Sequence, residues 1–338
     1  MYFVIIGKNP WLTREELAYI QASDIQLIQT RVRILNTPMP EKLAQIWGII
    51  KRGKVLTKEE ALDQLIGKKI LWCADIQLAL KLKREYKLKR VKLVEFIKTD
   101  KEVKNKGIEL MHASGIRGIV EWRQEIPLYE AIDFEKPGRS MQVGMMPAKL
   151  AHIMLNMALT NTKSETPIIR DPFCGTGTTM MLANHFGYDT VGSDIETKRS
   201  EKNMSRRSTQ PYATKHTADV YTQDATKPFE NINRDKTYCI VSEWWLWPIV
   251  TKSTSLGRMS EYQEQIERLY TQAMHTICTS FPKHTSMCFS LPRYDGLDNT
   301  IASQLSAIAG KYGYTCKTLE ETYHRKDQNV HRQIRIAY

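Results

Sequence analysis

The stretch from Ile168 to Asp194, IIRDPFCGTGTTMMLANHFGYDTVGSD, constrains this chain more than any other. A strand-like run ends in Asp171, a turn holding Gly175 and Gly177 follows, a helix opens near Thr178, and a second short strand ends in Asp194, nineteen residues beyond Gly175. Strand, glycine turn, helix and strand make a βαβ unit, which demands parallel pairing and helices on the sheet faces. The text beyond continues the pattern, with expected strands at 167–170, 189–192, 217–223, 237–241, 286–291 and 314–317 and expected helices at 178–186 and 196–205. The fold class expected for this part is α/β, a doubly wound, Rossmann-like parallel sheet.

The same segment narrows the ligand. Gly175 and Gly177 allow positive φ and close approach of backbone to a bound group, while Asp194 at a strand tip suits the hydrogen bonds of a ribose diol. A dinucleotide fingerprint would carry a third glycine where Met180 stands, and it lacks the acid that here precedes the turn. The G-x-x-x-x-G-K-[ST] phosphate loop is missing too. Asp171 would repel a pyrophosphate but can hold the ammonium of a methionine moiety, so S-adenosylmethionine (SAM) fits better than NAD or ATP.

The rest of the chain sets domains and partners. Residues 1–135 alternate short strand-like and helix-like segments, including capping boxes at Thr13/Glu16 and Thr57/Glu60, and read as a small α+β region. The run 136–146 is irregular and is expected to be a linker, followed by an amphipathic helix from Pro147 to Leu159 that opens the second domain, 147–338. Forty-nine Lys and Arg against 37 Asp and Glu give a net charge of +12, which favours a polyanionic partner. The excess is concentrated between Lys81 and Lys106, where Lys81, Lys83, Arg84, Lys87, Lys89 and Arg90 are the candidate RNA-binding residues. No apolar run reaches the length of a membrane span or signal core, so a soluble, cytoplasmic protein is expected. Six cysteines without a C-x-x-C pair or His partners at finger spacing argue against a zinc site, and no metal is expected.

The sequence resembles the SAM-dependent RNA methyltransferases that carry an N-terminal RNA-binding THUMP region, and most of all the tRNA guanine-N2 methyltransferases acting on guanosine 10. Asp171-Pro172-Phe173-Cys174-Gly175-Thr176-Gly177-Thr178 matches their D-P-F-C-G-[ST]-G-T motif. Gly144 to Ala151, Ile6 to Leu12 with Leu17, and Tyr323 to Arg332 are similar to the family's lead-in helix, N-terminus and final hairpin. The resemblance implies a class I methyltransferase sheet behind a ferredoxin-like, THUMP-like region and tRNA as partner. It implies donor contacts from Asp171, Phe173, Gly175, Thr176, Gly177 and Asp194, with Asp224 and Ala225 flanking the adenine. No motif specifies a helper subunit.

The chain departs from the family at its fourth motif. Where D/N-P-P-Y would follow Cys239-Ile240-Val241, it reads Ser242-Glu243-Trp244-Trp245-Leu246-Trp247-Pro248. Methylating an arylamine needs an acceptor for the amino N–H and a flat surface for an extruded base. Glu243 is the candidate acceptor, Ser242 the alternative if the register slips by one, and Trp245 the stacking surface. Positioning carries the expected mechanism, since in-line placement supplies about 7 to 11 kcal/mol of a barrier without a nucleophilic Cys or a metal. Two other readings stand beside it. One is a DNA adenine or cytosine amino-methyltransferase, disfavoured by the basic front region and the lack of a target-recognition insert. The other is a donor-binding, RNA-binding paralogue without catalysis, motivated by the missing P-P-Y.

Overall fold

In a computed structural model of the chain, residues 1–7, 10–17, 21–29, 31–37, 46, 49–93, 103, 107–139, 145–162, 164–205, 215–230, 232–244, 250, 253–323 and 330–338 are described. They divide into two units, Met1–Glu125 and Ile126–Tyr338.

The first unit is an α+β arrangement on one mixed sheet. Its strands are β1 (Tyr2–Ile6), β2 (Ser23–Gln29), β3 (Val32–Asn36), β4 (Ile49–Leu56), β5 (Ile70–Cys73), β6 (Arg90–Lys92), β7 (Gly107–Ala113) and β8 (Ile116–Arg123). They lie in the order β2-β3-β1-β4-β8-β7-β5-β6. Among the described residues, helices α1 (Pro10–Leu17), α2 (Lys58–Asp63) and α3 (Ile76–Glu85) accompany them. The capping box at Thr57 forms as expected. The Thr57 hydroxyl accepts from the Glu60 N–H at 3.1 Å, the Glu60 carboxylate accepts from the Thr57 N–H at 2.7 Å, and α2 starts there. The one expected at Thr13 and Glu16 does not begin a helix. α1 starts at Pro10, and Thr13 and Glu16 are buried within it, which fits a proline's preference for the first helical position. Glu109, 3% exposed on β7, is held between Lys51 and Arg123, so its buried charge is matched from both sides.

The second unit opens with α4 (Ile126–Glu130) and a π-helical turn over Ala131–Glu135. The unit boundary thus falls before the segment that composition marks as a linker. Residues on either side of the expected linker belong to the second unit and meet there: Asp133 accepts from the Ala148 N–H at 2.8 Å, at the start of α5 (Ala148–Leu159). The helix expected at 147–159 is present but not amphipathic. Only Lys149 of its twelve residues escapes burial, because α5 is packed against neighbours on several sides.

The remaining elements are β9 (Ile168–Asp171), α6 (Thr178–His185), β10 (Thr190–Asp194), α7 (Lys198–Met204), β11 (Ala218–Thr222), β12 (Tyr238–Glu243), α8 (Leu256–Ser280), β13 (Ser286–Tyr294), α9 (Thr300–Lys311), β14 (Cys316–Tyr323) and β15 (Val330–Ala337); the expected strands and the two expected helices are present, and α8, α9 and β15 are additional to them. α8 was not singled out from sequence, although its buried Ile266, Tyr270, Ala273, Met274 and Ile277 recur at helical spacing. Sheet order is β11-β10-β9-β12-β13-β15-β14, with β11 to β13 parallel and β15 antiparallel to both its neighbours. The sheet is therefore Rossmann-like and doubly wound but mixed, not wholly parallel, because the last two strands form a hairpin-like pair at one side.

Strand order reverses at β9 and β12. Successive connections run outward from β9 through β10 to β11, then return to β12 on its other side. A crevice opens outside the strand ends at such a point. Asp171, Asp194 and Glu243 are the last residues of β9, β10 and β12, so the sheet brings three carboxylates from distant sequence to one edge. Among the described residues no helix is long and apolar enough to cross a membrane.

Candidate functional site

The turn after β9 is built by its glycines. Gly175 (φ +50°) and Gly177 (φ +75°) adopt left-handed backbone that a side chain would strain, and Gly177 caps the start of α6. A Cβ placed on Gly175 would meet nothing nearer than the Phe173 carbonyl oxygen at 4.0 Å, so open space lies over this peptide. The third fingerprint glycine, absent at Met180, has a counterpart in the facing strand. A Cβ on Gly192 would stand 2.2 Å from the Met180 sulfur, so the bare backbone of β10 accommodates the longer side chain on α6.

A cavity of about 470 Å³ occupies the crevice. Asp171, Phe173, Gly175, Thr176, Asp194, Asp224 and Ala225 line it, while Gly177 sits behind as the helix cap. Asp194 spans the turn: one carboxylate oxygen accepts the Gly175 N–H at 2.9 Å and the other the Glu196 N–H at 3.1 Å. A carboxylate has about four lone-pair sites, so each oxygen keeps capacity for a further donor. Asp224 accepts from the backbone N–H and the hydroxyl of Thr226 at 2.8 and 2.7 Å, bonds that hold its carboxyl below the usual range and fix the turn that places Ala225. Two wall residues have no sequence motif of their own. Ile195 lies 77% exposed on the cavity wall directly after Asp194, and Arg199 pairs with Glu196 at 3.1 Å.

Asp171 is 3% exposed. Burial pushes its carboxyl up to about 7, against the opposing effect of hydrogen bonds donated by the Ser242 hydroxyl at 2.6 Å and the Phe173 N–H at 3.2 Å. A cation arriving at this group would find a carboxyl ready to ionise in its presence. The Cys174 thiol is buried and its pKa is raised, mainly by desolvation, so it is no thiolate nucleophile. Among the described residues no three His, Cys, Asp or Glu side chains cluster as metal ligands would.

On the β12 side of the cavity the candidates for the acceptor part. Ser242 is fully buried and spends its hydroxyl on Asp171. Glu243 lines the cavity and forms an ion pair with Arg332 of β15. Trp244 is 1% exposed, stacks on Phe289 at 4.9 Å and meets Phe173 and Tyr270, so this tryptophan is core that backs the cavity wall. Trp245 lies outside the described residues. Lys136, which sequence reasoning passed over as part of a linker, is 2% exposed and donates to the hydroxyl of Thr178 on the cavity wall. Burial lowers its ammonium to about 8, opposed by the charges of Asp133 and Glu243.

In the first unit the basic candidates sit on α3 and the residues after it. Lys81, Arg84, Lys87, Lys89 and Arg90 are exposed and Lys83 is half-buried. They approach β6, the edge strand of the sheet, where charge also guards an open edge against unwanted pairing.

No family model matches the sequence, and no curated protein matches it. Among solved structures the chain is similar to TrmN from Thermus thermophilus, with 13% identity, 99% of this chain and 98% of that one covered, and a TM-score of 0.49. It is similar also to a methyltransferase from Pyrococcus furiosus, with 11% identity, 63% and 95% covered and a TM-score of 0.39. A third is magnesium protoporphyrin IX methyltransferase from Synechocystis with bound SAM, with 10% identity, 62% and 95% covered and a TM-score of 0.35. Likeness at this level leaves the chemistry of the cavity to its own residues.

Proposed function

We propose that the chain is a SAM-dependent methyltransferase acting on the exocyclic N2 amino group of a guanosine in tRNA, position 10 being the site that the family resemblance implies. One observation carries the reading: one cavity at the strand reversal is lined by three carboxyl groups from the ends of adjacent strands, a ribose-type carboxylate, Asp194, on β10, a buried carboxyl, Asp171, on β9, and a wall carboxylate, Glu243, on β12. The residues fit the donor part by part. Asp171 suits the methionine ammonium, Asp194 the ribose diol, the open space over Gly175 the close approach of the cofactor chain, and Ile195 with Ala225 the faces of an adenine whose edge meets Asp224.

SAM, when bound, supplies an electrophilic methyl group. The protein's part is to hold an amino nitrogen in line with it, and such placement is worth about 7 to 11 kcal/mol. Glu243 accepts an N–H of the base, turning the nitrogen lone pair toward the methyl. Glu243 would also be the acceptor for the proton that the amino nitrogen gives up on methylation. Trp245 supplies the stacking face for the extruded base. The first unit, THUMP-like in this reading, grips phosphates through Lys81, Lys83, Arg84, Lys87, Lys89 and Arg90 and binds RNA by shape. A cytoplasmic location follows from such a substrate.

Transfer of radiolabelled methyl to total tRNA, ribosomal RNA and DNA, followed by nucleoside analysis, tests the proposal. N2-methylguanosine in tRNA is expected. Label in DNA adenine or cytosine would move the assignment to a DNA amino-methyltransferase, and donor binding without transfer to any acceptor would mark a non-catalytic RNA-binding protein.

A further inference from the structure

Glu243 and Arg332 are paired through Oε1 and Nε with side chains only 11% and 8% exposed. They stand 89 residues apart. Arg332 lies opposite Pro292 on β13, so its guanidinium reaches across that strand to the end of β12. Lys136, buried and hydrogen-bonded to Thr178, is a second base within electrostatic reach of the same carboxylate. Removing charges from water is costly, and an apolar pair would tie β12 to β15 as well or better. What an apolar pair would not do is fix the direction of a carboxylate on a cavity wall. Arginine suits that task because its planar fork constrains an acceptor in both angle and distance.

We propose that Arg332 is a positioning residue: it orients the Glu243 carboxylate so that the remaining lone pairs face the cavity and accept an N–H from the amino group of the methyl-accepting base. This rests on the methyltransferase reading above and narrows its substrate. An ion-paired carboxylate offers acceptors only, so the reacting edge must present an exocyclic N–H, as guanine, adenine and cytosine do and uracil does not.

The test is single-turnover methyl transfer to total tRNA by the full chain, as wild type, Arg332→Lys, Glu243→Gln and the double variant, with donor affinity measured by calorimetry. Arg332→Lys is expected to slow transfer about 10- to 100-fold while donor affinity stays within about twofold, since misplacement of a reacting partner is felt in the rate. In the Glu243→Gln background the same change should cost less than about threefold, because both act through one carboxylate. A wild-type rate for Arg332→Lys, or the full loss repeated in the Gln background, would overturn the positioning role and leave the methyltransferase reading standing. Should Arg332→Lys fail to fold, Glu243→Gln with Arg332→Gln removes both charges together. It should match Glu243→Gln alone, and a further loss of about tenfold would overturn the role. No transfer by the wild type would overturn the methyltransferase reading and the positioning role with it.

Discussion

In the donor part of the cavity most polar groups come from one βαβ unit, Asp171 through Asp194, tied by bonds from backbone N–H groups to carboxylates, with the Ser242 hydroxyl and Asp224 added from later segments. In the acceptor part Glu243 and Arg332 come from distant segments and are paired by charge, with Lys136 within electrostatic reach of Glu243. A local turn can be fixed by glycine conformation and backbone donors, and it tolerates change elsewhere. An assembly of buried charges depends on every element that delivers a member, so its stability and its chemistry are coupled. The donor end should therefore respond to mutation chiefly in affinity, and the acceptor end in stability and rate.

The largest effect is expected at Arg332. Arg332→Met leaves Glu243 buried without its partner, and breaking such a pair costs about 3 to 5 kcal/mol, read as a drop in the denaturant midpoint of the second unit. A loss below about 1 kcal/mol would mean that the acceptor end is no more coupled than the donor end. The same pair bears on Glu243→Gln, which strands the Arg332 guanidinium against a neutral group, so a lower melting temperature is expected for this variant.

At the donor end Asp194→Ala should weaken SAM binding about 10- to 150-fold, the equivalent of about 1.5 to 3 kcal/mol for lost bonds to a charged group. Calorimetry on the folded variant checks it, and unchanged affinity would remove Asp194 from the donor site.

Asp171 gives the pH signature. Its carboxyl is raised to about 7, so folding takes up a proton, and the stability it contributes is present below about pH 4 and lost as pH rises through 7. Asp171→Asn should then gain stability relative to wild type at pH 8 and not at pH 4. Donor binding runs the opposite way. The methionine ammonium pairs with the ionised form, so affinity should be about 10- to 30-fold weaker at pH 5.5 than at pH 8 in wild type, and flat in Asp171→Asn. A flat wild-type profile would place the ammonium elsewhere.

The mildest change is expected in the first unit. Replacing Lys81, Arg84 and Lys87 by Gln should leave SAM affinity alone and reduce the logarithmic salt slope of tRNA binding by about 2 to 3, one phosphate contact each. An unchanged slope would remove this patch from the RNA-binding surface.

What the sequence disclosed follows the same division. The donor end was legible because its physics is local: glycines need positive φ where Gly175 and Gly177 stand, and a strand-ending carboxylate at Asp194 faces whatever the turn binds. The alternation of strands and helices was legible for the same reason, whereas the antiparallel insertion of β15 depends on pairings with β13 and β14 that no local pattern encodes. Lys136 read as part of an irregular linker and Arg332 as part of a closing hairpin, since nothing in either segment points to a carboxylate 89 or more residues away. Trp244 stands beside Trp245 in the sequence, and only packing against Phe289 and Tyr270 marks its ring as core. The capping box at Thr13 failed where that at Thr57 held, because Pro10 offered an earlier start.

The central claim is that Glu243 serves the acceptor and not the donor. Single-turnover transfer to a guanine-bearing tRNA by wild type and Glu243→Gln, with SAM affinity measured on the same preparations, tests it most directly. The account predicts a rate lowered by about tenfold or more with donor affinity within about twofold of wild type. A wild-type rate, or a loss confined to donor affinity, would contradict it.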